Sequence, residues 1–325
     1  MEDLLTEWLL ENRPYTRLNT RIKHFIQYCK QIHPELSYSF LRYYIIGLAD
    51  ELMKKDLGRL WNRDRCFERV LRLYGVNDQR TEAWHLKRNE MITASEVYKI
   101  FSTPDARREV MLKKLVPAEP SSGNNGVQAL IWGTRFEAVA KKIYEQKTNC
   151  SIIDVSCVQH PRYSFLGASP DGLIVPNGDD DKRYGRLVEF KCPMSRAPKD
   201  EIPVAYIHQM QMQMECTGID ECEYVEFRFK QMNYNEWKRY IGEKGFFSVH
   251  DSGRVLYDVE DTSDDYQVVY WALTSIIVHY VPRDANWLTS HIEDLQSFWN
   301  EVIEHRKNNT LPSETPKKQV ISLDI

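Results

Sequence analysis

The feature that most constrains the fold is a pair of apolar segments joined by a short acidic stretch. The segments are SFLGASPDGLIV, at 164–175, and RLVEFKC, at 186–192, and both are typical of strands. The stretch 176–184 between them combines proline, glycine and asparagine with three aspartates, a composition that favours a solvated turn. A β-hairpin is therefore predicted.

The hairpin carries charged side chains inside its strands. Successive side chains of a strand point to opposite faces, so Glu189 and Lys191 share one face while Phe190 points into apolar packing. If the two strands pair through the turn, Asp171 lies beside Glu189. Two adjacent carboxylates repel each other unless a cation lies between them, and Lys191 supplies one such cation.

Length and composition place the chain among soluble globular proteins. Its 325 residues suffice for one large domain or two smaller ones. Hydrophobic residues make up 42% and charged residues 28%, and the formal net charge is −4. No global basic charge indicates nucleic-acid binding, although a local basic groove is compatible with this balance.

Cysteine usage and hydropathy point to an intracellular protein. The seven cysteines form no CxxC pair, which argues against a zinc ribbon or an iron–sulfur cluster. Their odd number, together with the acidic start MEDLLTEWLL, predicts reduced thiols and no signal peptide. The longest apolar run, YWALTSIIVHYV, is too short to cross a bilayer and is predicted to be a buried strand.

The chain divides into a helical leader and a mixed domain. Residues 1 to about 75 show the periodicity of amphipathic helices, the third with Ser37 or Ser39 near its start and a fourth over 60–73. YGVNDQR then breaks this pattern. We predict a helical domain over 1–77 that grips DNA or contacts protein, a second domain over 78–310, and a flexible tail over 311–325.

Helices and strands mix in the second domain. Apolar spacing predicts a helix over 129–148, strands in 151–160, and a helix over 204–217 stopped by Gly218. Further along, the patterns predict a strand over 222–230 with one buried face, a strand over 266–281 and a helix over 289–308. This order predicts a mixed α/β core.

The carboxylates and the lysine indicate phosphodiester hydrolysis. Mg²⁺ is usually held by one or two carboxylates, with waters and substrate phosphates completing its shell. Asp171 and Glu189 would hold the metal, with the Phe190 carbonyl as a further ligand, and Lys191 would assist the attacking water. An exposed hairpin with an ordinary Glu–Lys pair would give the same pattern, so the spacing alone leaves both interpretations open.

The same residues resemble the PD-(D/E)xK nuclease superfamily. SPDG followed by EFKCP resembles its lambda-exonuclease-like branch, the YqaJ-type viral recombinases. QRTEAWHLKRNEMITAS is similar to the signature that opens the nuclease domain of that branch, and WGTRFE and YIHQMQMQM resemble its acidic helix and its glutamine-bearing helix. The resemblance spans roughly 79–230. It implies a restriction-endonuclease-like mixed central sheet flanked by helices, here preceded by the small all-helical N-terminal domain.

The resemblance also implies catalytic roles. Asp171 and Glu189 become metal ligands, Lys191 the catalytic lysine, Glu137 a further acidic ligand, and Gln209 a contact of the lysine or of a water. The metal would be one or two Mg²⁺ ions, and Mn²⁺ would fit the same oxygen ligands. On spacing alone, Glu137 would instead pair with Lys141 on its own helix.

A second implied site binds the 5′-terminal phosphate of DNA. Arg88, Ser95 and Ser169 match the family positions that form this pocket, and a guanidinium with hydroxyl donors suits a phosphate. Ser95 at a helix start would equally suit an N-cap. Trp84 is predicted to lie in the core rather than to stack on a base.

The resulting prediction is a metal-dependent DNA exonuclease that degrades duplex ends 5′→3′ and leaves 3′ single strands for recombination, repair or viral DNA processing. A structure-selective endonuclease and a non-catalytic DNA-end-binding module are the alternatives. The expected partners are double-stranded DNA ends, a single-strand annealing protein and, by resemblance, two further copies in a trimer. A viral chain of this kind would act in the cytoplasm or nucleus of its host cell.

Overall fold

The structure is a computed structural model that describes residues 1–10, 18–54, 65, 66, 68–70, 72, 79, 81–116, 124–176, 183–195 and 201–313. The helices discussed below are α1 Glu2–Leu10, α2 Leu18–Ile32, α3 Tyr38–Met53, α4 Glu82–Asn89, α5 Val97–Ser102, α6 Pro104–Leu115, α7 Asn124–Thr148, α8 Val204–Thr217, α9 Tyr234–Arg239 and α10 Trp287–Asn308. The strands are β1 Ile92–Thr93, β2 Cys150–Ile153, β3 Val158–Gln159, β4 Leu166–Ala168, β5 Gly172–Pro176, β6 Leu187–Lys191, β7 Glu221–Met232, β8 Lys244–His250, β9 Val255–Tyr257 and β10 Tyr266–Pro282.

The first three helices share a hydrophobic core of their own. Leu5 and Leu9 of α1 pack against apolar side chains of α2 and α3. Ser37 is the N-cap of α3, where its hydroxyl accepts a hydrogen bond from the Phe40 N–H at 3.1 Å. The helical character of the leader is thus confirmed for α1–α3. The predicted fourth helix over 60–73 lies largely outside the described residues, although 65, 66 and 68–70 are helical.

A seven-stranded mixed sheet forms the centre of the second part, in the order β2-β5-β6-β7-β10-β8-β9. The β6–β7 pair is parallel, whereas the other adjacent pairs are antiparallel. Helix α7 covers one face of the sheet with Phe136, Val139 and Ile143, and α8 covers the other. The predicted mixed α/β fold, with helices flanking a central sheet, is confirmed.

A small second sheet has the order β1-β4-β3. It shows that the predicted strand segment 164–175 is two strands in different sheets, β4 and β5, separated by Ser169, Pro170 and Asp171. The sequence SPDG turns the chain there, because proline restricts its own backbone and that of the residue before it. This turn places Asp171 at the start of a central strand.

Strand β7 corrects the prediction that only one of its faces is buried. Val225, Phe227 and Phe229 pack on the α7 side, as the alternation indicates. However, Glu226 and Arg228 on the opposite face are buried as well, and their side chains form an ion pair with each other. A central strand with helices on both faces does not show its burial in its polarity pattern.

The elements after β7 include some that were not predicted. Strand β10 and helix α10 confirm the predicted strand and helix, whereas α9, β8 and β9 had no predicted counterpart. Earlier in the chain, α6 had none either. Helix α8 ends at Gly218, as predicted, with φ +73° and its N–H bonded to the Met214 carbonyl at 2.8 Å. No helix within the described ranges is long and apolar enough to cross a membrane.

Candidate active site

The β5–β6 hairpin brings the first two predicted site residues together. Gly172 pairs with Val188, so Asp171 and Glu189 occupy the next positions along the two strands. The backbone N–H of Phe190 donates to Asp171 Oδ2 at 2.8 Å, which fixes the aspartate against β6. The Phe190 side chain points away into the core, as strand alternation predicts.

Lys191 contacts the carboxylate of Glu189. Its ammonium donates to Glu189 Oε1 and lies 4.7 Å from the centre of the Tyr206 ring. Burial alone would lower the pKa of Lys191, but Glu189 and Asp171 outweigh it and raise the pKa above its ordinary value. For Asp171, burial and the charge of Glu189 raise the pKa well above its usual range. The site therefore concentrates negative charge around one ammonium.

Two glutamines of α8 also donate hydrogen bonds to the Glu189 carboxylate. Gln209 Nε2 donates to Glu189 Oε1 at 2.5 Å, and Gln209 Oε1 lies 3.5 Å from the Lys191 ammonium. Gln213 Nε2 donates to Glu189 Oε2 at 2.6 Å. Sequence reasoning found Gln209 and missed Gln213, although the i,i+4 spacing on one helix places both on the same face.

Glu137 of α7 lies across a cleft from the hairpin. A cavity of about 620 Å³ and another of about 460 Å³ meet at Glu137, Asp171 and Phe190, which line both. The charge of Glu137 contributes to the raised pKa of Asp171, after burial and Glu189. Lys141, the predicted helical partner of Glu137, forms an ion pair with Asp154 at 2.6 Å. Glu137 and Asp171 thus face one cleft, whereas Glu189 is fully buried next to Lys191.

The donor chemistry of this cleft suits a hard divalent cation, because its acidic groups are oxygen ligands. No three histidine, cysteine, aspartate or glutamate side chains form a preassembled ligand cage within the described parts of the chain. A metal would therefore complete its shell with waters or substrate oxygens, as Mg²⁺ usually does.

The residues predicted to bind a terminal phosphate also meet. The Arg88 guanidinium donates to Ser95 Oγ at 3.2 Å and to Thr93 Oγ1 at 3.3 Å, and it stacks 4.2 Å from the centre of the Trp84 ring. Trp84 Nε1 in turn donates to Ser169 Oγ at 3.0 Å. Since Ser169 is two residues before Asp171, this polar pocket adjoins the carboxylate cluster.

Two alternatives considered for this pocket are not what the structure shows. The N-cap of α5 is Glu96 rather than Ser95, whose hydroxyl faces Arg88. Trp84 is half-buried, lies outside the hydrophobic core and bridges Arg88 to Ser169, so its prediction as a core residue was wrong. An indole N–H with a polar partner and a partly exposed ring explains this position.

A buried ion pair that sequence reasoning missed lies next to the pocket and contacts the backbone of Arg88. Lys114 of α6 lies 2.8 Å from Glu96 and donates to the Arg88 carbonyl at 2.9 Å. Glu96 Oε2 also accepts from Thr93 Oγ1 at 2.6 Å. Burial lowers the pKa of Arg88 below its ordinary value, because little water reaches the guanidinium. Helix α6 was not predicted, so its lysine could not be placed.

Gln79 connects the start of the motif to this region. Its side-chain amide donates to the carbonyls of Val155, at 2.8 Å, and Pro170, at 3.0 Å. Gln79 therefore ties the motif to the core next to Asp171, while Arg80 lies outside the described residues.

Comparison with known families found one similar to the central part of the chain. Residues 83–220 match the family described as the YqaJ-like viral recombinase domain. Residues 83–220 are therefore similar to this family, and the resemblance seen in the sequence motifs is confirmed. The match includes both the carboxylate cluster and the polar pocket at Arg88.

One curated relative is "Uncharacterized protein R354" of Acanthamoeba polyphaga mimivirus. It is 21% identical over 299 residues, which cover 71% of this chain and 54% of the relative. The chain therefore spans about half the length of the curated relative that it matches.

Three solved structures show partial similarity to the chain. The alkaline exonuclease LHK-Exo of Laribacter hongkongensis is 23% identical, with a TM-score of 0.46 over 70% of this chain and 96% of its own. A phage-related exonuclease of Haemophilus somnus 129PT is 16% identical, with a TM-score of 0.39 over 66% and 96%. A SOX–DNA complex is 10% identical, with a TM-score of 0.43 over 88% and 82%.

Proposed function

We propose that the protein is a metal-dependent DNA exonuclease that hydrolyses phosphodiester bonds from the 5′ ends of duplex DNA. The observation that carries this proposal is the cleft lined by Glu137, Asp171 and Lys191, with the buried Glu189 bonded to Lys191, beside the polar pocket at Arg88. The similarity of residues 83–220 to the viral recombinase family supports a nuclease that acts on DNA.

The metal site would consist of oxygen ligands. Asp171, Glu189 and Glu137 would hold Mg²⁺ or Mn²⁺, with the Phe190 carbonyl as a further ligand. When bound, the ion would polarise the phosphodiester and lower the pKa of a water. The concentrated negative charge of the cleft favours a cation at this position.

The side chains around Glu189 would prepare the reacting groups. Lys191 can orient the attacking water and stabilise negative charge on the phosphoryl oxygens, because its ammonium is held at the edge of the cluster by Glu189. Gln209 keeps both the lysine and the glutamate in place. In phosphodiester hydrolysis, a protein contributes mainly by positioning the reacting groups and stabilising their charge.

The pocket at Arg88 would anchor the DNA end. Arg88, Ser95 and Ser169 offer a guanidinium and two hydroxyls to a 5′-terminal phosphate, and the Trp84 ring stacks on the guanidinium. An end held there lies next to the carboxylates, so cleavage would proceed from that end. Double-stranded DNA ends are thus the proposed partner, and an annealing protein and a trimer stay predictions.

Digestion of an end-labelled linear duplex with Mg²⁺ tests the catalytic part. Wild type should release nucleotides from 5′ ends, and Lys191→Ala should lose about 100-fold or more in rate, in line with removal of one charge-stabilising donor. Unchanged substrate with wild type, or equal rates for the two proteins, would contradict the proposal. Nicking of a closed circle would instead favour an endonuclease, and binding without cleavage under several divalent metals a non-catalytic module.

The end anchor is tested with duplexes that carry a 5′-phosphate or a 5′-hydroxyl. Wild type should prefer the phosphate, and Arg88→Ala should lose that preference because the guanidinium makes the charge-assisted contact. The control is Arg162→Ala, which removes an exposed arginine of the turn between β3 and β4 whose guanidinium lies over the Tyr163 ring. Equal rates on both substrates for wild type would remove the anchoring argument.

A further inference from the structure

Gln213 is a buried polar residue of the cleft that no sequence pattern assigned. Its side chain is 0% exposed, and its Nε2 donates to Glu189 Oε2 at 2.6 Å. Its own carbonyl, Oε1, is buried without a hydrogen-bond partner among the described residues. An unmatched buried polar group costs about 1–3 kcal/mol, so the fold tolerates a local defect to keep this amide.

The neighbours of Gln213 on α8 show that an apolar residue would fit the helix. Met210, Met212 and Met214 are all fully buried there. Methionine matches glutamine in length and adapts to irregular space, so the core itself does not require an amide at position 213. A polar side chain at a core position that brings no gain in packing is most common at functional sites.

Gln211 provides the contrast on the same helix. Its amide is matched at both ends, since Nε2 donates to the Pro282 carbonyl at 2.9 Å and Oε1 accepts from the Asp284 N–H at 2.8 Å. These bonds attach α8 to the end of β10. Gln211 is therefore structural and satisfied, whereas Gln213 is directed at the carboxylate.

The two oxygens of Glu189 are divided between different donors. Oε1 accepts from Lys191 and Gln209, which are partly exposed, whereas Oε2 accepts from the fully buried Gln213. Oε2 thus lies on the deeper side, and the carboxylate is gripped at both oxygens. Without the deeper bond, the group could rotate about its last side-chain torsion, which is broad for glutamate.

We infer that Gln213 is a positioning residue that fixes the rotation of the Glu189 carboxylate and so presents Oε1 to the divalent metal and the DNA phosphate. This inference rests on the proposed nuclease function. Hydrogen bonds from residues that do not bind the metal themselves orient metal-binding carboxylates and tune the affinity of the site for the metal. Gln209 and Lys191 can then reorganise around an ion while the carboxylate keeps its orientation.

The test compares Gln213→Met with Gln211→Met in the full-length protein. Mg²⁺ binding is measured by calorimetric titration without DNA, and kcat and KM are measured on a 5′-phosphorylated duplex. Gln213→Met should weaken Mg²⁺ binding and lower kcat by about 10-fold or more, as loss of an outer-shell partner does. KM should stay near that of wild type, because the pocket at Arg88 is untouched. Gln211→Met should leave Mg²⁺ binding unchanged.

Unchanged Mg²⁺ binding and turnover in Gln213→Met would overturn the inference, and so would equal losses in Gln211→Met. If Gln213→Met does not fold, as judged by thermal melting, Gln213→Asn serves instead, since its shorter amide falls short of Glu189 and the same losses are expected. A wild type that neither binds Mg²⁺ nor cleaves DNA would overturn the proposed function itself. If wild type is active and Gln213→Met matches it in Mg²⁺ binding and turnover, only the role of Gln213 is overturned.

Discussion

At the residue scale, buried polar side chains in this protein are used as fixed acceptors and donors. His160 is an example outside the cleft. Its Nδ1 accepts from the N–H groups of Arg162, at 3.1 Å, and Tyr163, at 3.0 Å, and so closes the turn between β3 and β4. Burial, helped by Arg69 and Arg283, lowers the pKa of His160 to about 4. The turn therefore depends on the neutral ring.

This arrangement predicts a loss of stability in mild acid. The folded pKa, about 4, is below the ordinary value of 6.5, so the unfolded chain binds the proton more readily. The contribution of His160 is present above pH 6.5 and is lost as the pH falls toward 4. In His160→Asn, whose side-chain oxygen can accept the same two bonds, the melting temperature should fall less between pH 7 and pH 5 than in wild type.

The control for this prediction is His250→Asn. Its Nδ1 also accepts a backbone bond, from Ser252 at 3.0 Å, but in an exposed turn. That variant should follow wild type over the same pH interval. A His160→Asn profile parallel to that of wild type would contradict the assignment of the buried acceptor.

At the element scale, α8 supports the cleft, because Gln209 and Gln213 lie on it one turn apart. Its C-terminus is capped by Gly218, at φ +73°, and contacts an earlier part of the chain. The Cys66 thiol donates to the Gly218 carbonyl at 2.8 Å, and Arg69 donates to the Cys216 carbonyl. The last carbonyls of the helix are thus satisfied from outside it.

Gly218→Ala should reduce the free energy of unfolding by about 1–2 kcal/mol, since side chains with a Cβ disfavour the left-handed region. The added Cβ would also lie 3.3 Å from the Cys66 sulfur. Urea denaturation measures the change. Gly47→Ala is the matched control, because Gly47 lies inside α3 with open space around it and alanine there should stabilise the helix. Equal changes in the free energy of unfolding for the two variants would contradict a requirement for glycine at the end of α8.

At the scale of the whole molecule, the chain contains more than one hydrophobic core. The helical leader packs around residues such as Ile45, apart from the clusters that sandwich the central sheet. Val70, however, already belongs to the cluster beneath α8, and Cys66 packs against it. The boundary near residue 77 stays a prediction, and contacts with the sheet domain begin before it.

The separate cores predict separate responses to mutation. Ile45→Ala should weaken the leader by about 2–5 kcal/mol, the usual cost of truncating a buried isoleucine. Val70→Ala should instead lower the transition of the sheet domain. Differential scanning calorimetry of the full chain, with nuclease activity measured alongside, distinguishes the two.

The expected pattern is a shifted early transition with retained activity for Ile45→Ala and a shifted main transition for Val70→Ala. One shared transition that moves equally in both variants would show that leader and sheet domain unfold together. In that case the helical leader would be an integral part of the nuclease fold.

The sequence by itself determined the features that depend on local periodicity. Strand alternation put Glu189 and Lys191 on one face, the turn between two apolar runs put Asp171 beside them, and Gly218 marked the end of α8. The family motifs added Glu137, Gln209 and the pocket residues, which lie far apart in the chain and share no local pattern.

Tertiary structure decided what depends on neighbours from elsewhere in the chain. Gln211 and Gln213 occupy equivalent positions in an alternating run, yet one ties the helix to β10 and the other grips Glu189. The alternating pattern predicts an exposed face for Glu226 and Arg228, but both are buried. Periodicity tells which side chains share a face, whereas the partner that covers this face is set by packing between distant segments.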